Sequence, residues 1–259
     1  MGSTLEDISF LTRSEHRVSA LVAMAVRPRS RSELGEITGA SSSTIRRTLR
    51  DFEERHWIER DGYEYDTTEL GAFIAESMSE LLDRFETERE LRRVWEWLPA
   101  SMEGFDLAMC VNATVTVATA ADPYQPVTRF TELLSSTDGL QFVGFDVAVL
   151  EPSRATLCER IVEGMAAELI APPRVVRYIR STYPDAFHRP LESGNLTLRV
   201  HQELPPYGVA IVDDRMAIAC YDTDAVTVRV LIDTAGDEAI DWAENVYDRY
   251  YRETPIVAV

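Results

Sequence analysis

Apolar residues return every three or four positions over the first hundred residues, and past a proline-marked break they gather into short runs separated by turn residues. Between Ser14 and Pro28, the set Val18, Leu21, Val22 and Ala25 repeats at helical spacing, with Ser14 as N-cap, Glu15 in the first turn and Pro28 forbidding continuation. A short second helix starts at Ser30 or Ser32, turns Leu34 and Ile37 inward and stops at Gly39, where a left-handed residue is wanted. Ile45, Leu49 and Phe52 then form one stripe of a third helix, which leaves Ser42, Ser43, Arg46, Arg47 and Arg50 on its other faces. Trp57 to Tyr65 reads as two β-rich arms around Asp61-Gly62, a strong hairpin signal. From Thr68 to about Trp97 the pattern predicts one long helix, its seam marked by Leu70, Phe73, Ile74, Ser77, Leu81, Phe85, Leu91, Val94 and Trp95.

Residues Pro99 to Phe105 break that helix. Beyond them, Phe105 to Val111, Thr114 to Ala118, Leu140 to Phe145, Leu196 to Val200, Val209 to Val212, Met216 to Tyr221 and Val226 to Ile232 read as strands. Val127 to Ser135, Arg154 to Glu168, Val175 to Tyr183 and Glu238 to Tyr251 read as helices. The expected class is α/β, α+β overall, with a mixed sheet whose strands after residue 195 run antiparallel because their connections are too short for helical crossovers.

Composition narrows the chemistry. With 259 residues, 45% of them hydrophobic, the chain can bury a core. It carries 44 acidic residues against 26 basic ones, a net charge of -18, and every basic residue is arginine. Without lysine there is no Walker A phosphate loop, Schiff base, pyridoxal anchor or phospholipase-D-type lysine. The acid excess without lysine resembles proteins of salt-loving archaea. Residues 1–66 hold ten arginines and twelve acids, whereas residues 67–259 hold sixteen and thirty-two, so the first segment is the place where a polyanion could dock. Cys110, Cys158 and Cys220 are far apart and odd in number, which makes buried thiols the expectation. An acidic start and the absence of a long apolar window lead us to expect a cytoplasmic protein without a membrane span.

Helix, short helix, turn, polar-faced helix and hairpin occur in the order of a winged helix-turn-helix. The stretch SRSELGEITGASSSTIRRTLRDFEERHWIERDGYEYDTTELG resembles archaeal regulators of the ArsR/TrmB type. The resemblance implies a winged helix-turn-helix DNA-binding domain at 1–66, a long linker or dimerisation helix at 67–98 and an α/β effector or sensor domain at 99–259. Serine hydroxyls and helix N-terminal amides bind phosphate oxygens, and arginine forks bond guanine edges. The expected DNA contacts are therefore Ser42, Ser43, Thr44, Arg46, Arg47, Arg50 and, on the hairpin, Arg60. The alternative is that Arg46, Arg47 and Arg50 solvate a helix and pair with Asp51, Glu53 and Glu54. A homodimer through the long helix would set two recognition helices on half-sites about one duplex turn apart.

The run Leu204 to Ile218, with the pattern GVAIVDDRMAI, resembles the effector domain of archaeal regulators of the TrmB and methanogenesis-filament regulator groups. Some members of those groups look like catalytically dead phospholipase-D folds. This chain has no GxSxG, HExxH, glycine-rich dinucleotide turn or His/Cys cluster, so we expect no enzyme, no metal and no cofactor. Asp213-Asp214 reads as a hairpin turn rather than a catalytic pair. Candidates for holding an anionic or hydroxylated effector are Arg199 and His201, which share a strand face, and Asp146, Tyr207 and Tyr221 at strand ends. Each of these also fits an ordinary ion pair or rim position. Two rival functions remain open: a protein-interaction adaptor of the transcription machinery without its own operator, and an enzyme acting on a small phosphate or sugar.

Overall fold

Ser3 caps a helix that the apolar pattern did not single out. In the computed structural model, which describes residues 3–100, 102–222 and 227–254, α1 (Thr4–Thr12) starts with a capping box between Ser3 and Glu6. It buries only Leu11, so its periodicity was too weak to read. α2 (Glu15–Val26) follows Ser14 as expected, and β1 (Arg29–Ser30) leads into α3 (Arg31–Thr38). There Ser30 and Glu33 form a second capping box. The Ser30 amide, then the Arg27 guanidinium and the Ser30 hydroxyl, hold the Glu33 carboxyl down at about 2. Gly39, at φ 66°, ends α3 in the left-handed conformation. Ile37 is 47% exposed instead of inward, because this eight-residue helix buries one position and Leu34 fills it.

α4 (Ser42–Glu53) buries Ile45, Thr48, Leu49 and Phe52. β2 (Ile58–Asp61) and β3 (Glu64–Thr67) close the expected hairpin through Gly62-Tyr63, and β1 adds to β3, giving an antiparallel sheet in the order β1-β3-β2. Leu21, Met24, Leu34, Ile45 and Phe52 form the core of this part. Phe10 of α1 joins it by an unusual route: the guanidinium carbons of Arg17 and Arg55 lie 4.1 and 4.0 Å from its ring centroid.

The chain divides into two units, Met1–Phe85 and Glu86–Val259, and α5 (Glu69–Val94) contains the boundary. The expected seam of α5 is only partly buried. Ala75 and Met78 enter the first unit's core, and Leu91 and Val94 the second's. Leu70, Phe73, Leu81 and Phe85 are exposed, as is Trp95 just beyond the helix in a single 3₁₀ turn. Periodicity identifies a row that avoids water but not whether the same chain covers it.

The second unit is built on a seven-stranded mixed sheet. Its elements are β4 (Thr114–Val117), α6 (Gln125–Leu134), β5 (Gly139–Val143), α7 (Val147–Glu163), β6 (Ala166–Ala171), α8 (Pro173–Thr182), α9 (Pro184–Glu192), β7 (Leu196–Val200), β8 (Tyr207–Val212), β9 (Arg215–Asp222), β10 (Thr227–Thr234) and α10 (Asp237–Glu253). The strand order is β4-β10-β9-β8-β5-β6-β7. Helices α6 to α9 cover one face and α10 the other, each over its own apolar cluster.

Three expectations need correction here, and one helix forms where none was expected. Phe105 to Val111 is no strand; Leu107–Cys110 forms a 3₁₀ turn capped by Asp106. Arg154 to Glu168 is not one helix: α7 begins earlier, at Val147, and ends at Gly164, whose φ is 124°, before Ala166 opens β6. The segment beyond Tyr183 forms α9, started by Pro184 at its first position. β7 is parallel to β6 and does not pair with β8, whereas β8, β9 and β10 are antiparallel as expected. The first residue of the expected strand Val226 to Ile232 lies outside the described residues.

Asp213-Asp214 is the two-residue turn of the β8–β9 hairpin, with Asp213 at φ 49° and its carboxylate accepting from the Gly139 amide at 2.9 Å. Nearby, fully buried Asp233 accepts from both Arg129 and Arg215, which ties α6 and β9 to β10. Cys110 and Cys220 are buried free thiols, pushed up by burial to about 11 and about 12, and Cys158 is half-buried.

Gly71 packs its backbone directly against Trp57, and a Cβ there would collide with the Trp57 carbonyl oxygen. Gly71→Ala should therefore cost about 1 to 3 kcal/mol in a denaturant melt, as overpacking does. Gly35→Ala, in helical backbone whose nearest neighbour would be the Ala40 oxygen at 3.6 Å, should instead stabilise by up to about 1 kcal/mol.

Candidate nucleic-acid interface and strand-end cleft

The N-terminus of α4 presents hydroxyls and amides without a competing carboxylate. Ser41 is the N-cap, its hydroxyl accepting from the Thr44 amide at 3.3 Å and lying 3.0 and 2.9 Å from the Ser43 and Thr44 hydroxyls. No acidic residue occurs in the first turn. The positive helix end is thus free of an internal counter-charge, as an anion site requires. Ser42, Ser43, Arg46, Arg47 and Arg50 are exposed and Thr44 is half-buried.

The four expected arginines differ in what they touch. Arg50 is shared between Asp51 at 3.8 Å and Glu54 at 3.7 Å, the surface pairing weighed as an alternative. Arg60 folds onto its own hairpin, donating to the Gly62 carbonyl at 2.8 Å with its guanidinium 5.7 Å from the Tyr65 ring. Arg46, by contrast, is exposed with no ion pair among the described residues, and so is Arg47.

Positive charge continues from α4 onto the start of α2, where sequence reasoning placed none. The His16 Nε2 lies 3.2 Å from the Thr48 hydroxyl. Burial first, then the charges of Arg17 and Arg47, depress the His16 imidazole below its ordinary value. Arg17 is likewise depressed by burial, eased by Asp51 and crowded by Arg47, Arg55 and Arg13. A run such as Arg13-Ser14-Glu15-His16-Arg17 carries no motif; only packing α2 against α4 reveals its like-charge neighbours.

In the second unit, a cleft of about 420 Å³ opens at the carboxyl ends of β5, β6, β7 and β9. It is lined by Asp146, Pro172, Arg174, Gln202, Tyr221 and Asp222 among others, with Leu204, Pro205 and Pro206 as an apolar wall. Its wall follows from strand order. The six residues between β7 and β8 must pass the ends of β6 and β5, three strand spacings or about 14 Å, which lies well within their extended reach of about 20 Å and lets them lie over the strand ends as a wall. β5 is also where pairing changes from parallel to antiparallel, the kind of switch at which open sheets leave a crevice.

Asp146 is the N-cap of α7, accepting from the Ala148 amide at 3.3 Å and pairing with the Arg174 guanidinium. Tyr221 donates to the Gly144 carbonyl at 2.9 Å, and burial followed by the Asp146 charge raises its phenol well above the usual range. Two of the five expected effector contacts therefore meet in the cleft. Arg199, His201 and Tyr207 do not line it. Arg199 is buried beneath α10, donating to the Thr254 carbonyl at 2.5 Å and stacking 3.8 Å from the Tyr251 ring centroid. His201 shares that face, 5.2 Å from Tyr250 and 3.5 Å from Glu253. Tyr207 is buried in the core under α10. Arg174 and Gln202 were missed because nothing local marks them; they come together only at the ends of separate strands.

Among the described residues, no group of three or more His, Cys, Asp or Glu side chains could hold a metal ion, and no helix is long and apolar enough to cross a membrane. Asp146→Ala should destabilise by about 1 kcal/mol through loss of the α7 cap. Asp146→Asn, which still accepts from Ala148, should lose less than half of that in parallel urea melts.

The model of the family described as methanogenesis regulatory protein FilR1, middle domain, matches residues 123–253, half of the chain. A second model, the HVO_A0261 N-terminal domain, matches residues 5–90. No curated protein matches the chain. Among solved structures, the chain is similar to TrmBL2, an archaeal chromatin protein with a novel mode of DNA binding, at 12% identity over 93% of this chain and 94% of that one, TM-score 0.45. It is also similar to Nuc, a phospholipase D family member from Salmonella typhimurium, at 12% identity over 57% of this chain and 99% of that one, TM-score 0.41. NucT from Helicobacter pylori is similar at 14% identity over 56% and 99%, TM-score 0.42. With every score below 0.5, none of these likenesses decides what the cleft does.

Proposed function

We propose that this chain, which belongs to the family of the methanogenesis regulatory protein FilR1 middle domain, is a transcriptional regulator that reads duplex DNA with α4. The observation that carries the reading is the exposed N-terminal half of α4. It presents serine and threonine hydroxyls, a helix end without an acidic residue in its first turn and two arginines without ion pairs among the described residues, on a chain of net charge -18. Arg46 and Arg47 reach base edges or phosphates, Ser42, Ser43 and Thr44 bind backbone oxygens, and Arg50 and Arg60 exchange their present partners for phosphate. A regulatory family favours this reading over a catalyst.

The test is a binding titration on fragments that the full chain selects from a genomic pool. Arg46→Ala or Arg47→Ala should weaken binding to selected fragments by about 1 to 3 kcal/mol wherever the side chain reads a base. Equal loss on selected and random duplex assigns that arginine to phosphate. If neither substitution changes affinity, α4 is not the reading helix.

Two finer features belong to the same proposal. Leu70, Phe73, Leu81 and Phe85 form an exposed apolar row on α5, and a second copy of the chain is the occupant that suits a twofold operator. Phe73→Glu combined with Leu81→Glu should leave folding stability within about 0.5 kcal/mol. In sedimentation, the same variant should be a monomer where the parent chain is a dimer. A parent chain that sediments as a monomer at every concentration rejects the dimer. The cleft around Asp146 and Tyr221 is the proposed effector site, and its occupant regulates only by preferring one arrangement of the dimer over another.

A further inference from the structure

Inside the acidic part of the chain, residues 172–184 contain three arginines and no carboxylate. These residues form α8 and its flanks. α8 buries Val175, Val176 and Ile179 and leaves Arg174, Arg177 and Arg180 exposed, one every three residues, so that successive positions rise by about 4.5 Å. Arg174 is held by Asp146. Arg177 and Arg180 make no ion pair or hydrogen bond among the described residues. In residues 67–259, where acids outnumber arginines two to one, two neighbouring guanidinium groups without a carboxylate between them in sequence are a local reversal of the field.

We propose that the exposed face of α8 is a second docking surface for duplex DNA, contacting phosphates through Arg177 and Arg180. The proposal rests on the reading of the chain as a DNA-binding regulator. The composition of the face selects nucleic acid over an acidic protein. Among the described residues, none of the large apolar side chains that stand exposed lies on α8 or α9. A protein partner needs an apolar centre to its contact, whereas phosphate recognition needs charge and N–H donors alone. Guanidinium forks meet phosphate oxygens two at a time, and long side chains absorb the difference between the 4.5 Å rise and the charge spacing of the duplex, about 3.4 Å along each strand. The surrounding carboxylates repel phosphate, which confines the contact to this row.

The experiment is a fluorescence-anisotropy titration of the full chain on a random-sequence duplex at several salt concentrations. Arg177→Ala combined with Arg180→Ala should lower the slope of log K against log salt by about 2, since each lost phosphate contact removes about 0.9. Preference for selected over random fragments should not change. Arg177→Lys combined with Arg180→Lys keeps the charges and should keep most of the slope, which separates loss of contact from loss of folding. Parental affinity and slope in the alanine variant overturn the proposal. So does an alanine variant that changes only self-association in sedimentation, which would give the face to an acidic protein surface. If α4 substitutions abolish binding while the α8 pair has no effect, this inference fails alone. If the parent chain binds no duplex, both readings fail.

Discussion

A guanidinium group cannot shed its charge at any pH a cell tolerates, so each arginine of this lysine-free chain has to be paired, stacked or left in water. Most of the structure can be read from how that requirement is met. Asp233 gathers Arg129 and Arg215 at a fully buried carboxylate, Arg199 closes the end of α10, and Arg17 and Arg55 hold Phe10 of α1. Those arginines are framework. Removing one partner from such a buried set leaves a charge with nowhere to go, a cost of several kcal/mol that exceeds what the pair contributes net. The arginines left without an internal partner, chiefly Arg46 and Arg47 on α4 and Arg177 and Arg180 on α8, are the ones available to a polyanion.

The same distinction separates the two candidate sites. On α4, the proposed role rests on exposure: Ile45, Thr48, Leu49 and Phe52 face inward, and Ser42, Ser43, Arg46, Arg47 and Arg50 are presented outward. At the cleft, the opposite holds. Asp146 is already committed to the α7 cap and to Arg174, and Tyr221 to the Gly144 carbonyl. A ligand there would exchange hydrogen bonds rather than find free ones, which suits an effector whose binding has to be reversible and coupled to a conformational preference.

Much of the fold was legible because short-range rules govern it. Ser30 and Gly39 at the two ends of α3 and the stripe Ile45, Leu49, Phe52 each act within a few residues and stand where the pattern placed them, while the hairpin turns one residue later than Asp61-Gly62, at Gly62-Tyr63. The errors have several causes. α1 buries too few side chains to show a period, the 3₁₀ turn at Leu107–Cys110 is apolar without being extended, and the helical reading of Arg154 to Glu168 overran Gly164 into a buried strand. In a strand covered on both faces the two-residue alternation disappears, so β6 looks the same as the end of a helix.

Taken alone, the chain determined its local elements, the polar face of α4, the turn role of Asp213-Asp214 and the restriction to chemistry that needs no ammonium group, because periodicity, capping and composition are properties of neighbouring residues. Tertiary structure decided what no neighbour can encode. It brought Asp146, Arg174, Gln202 and Tyr221 to one cleft while sending Arg199, His201 and Tyr207 beneath α10, and it left the α5 row uncovered. The physical reason is strand order. With β7 at the sheet edge and β8 beside β5, the connection between them must run across the strand ends, and that crossing path creates the cleft.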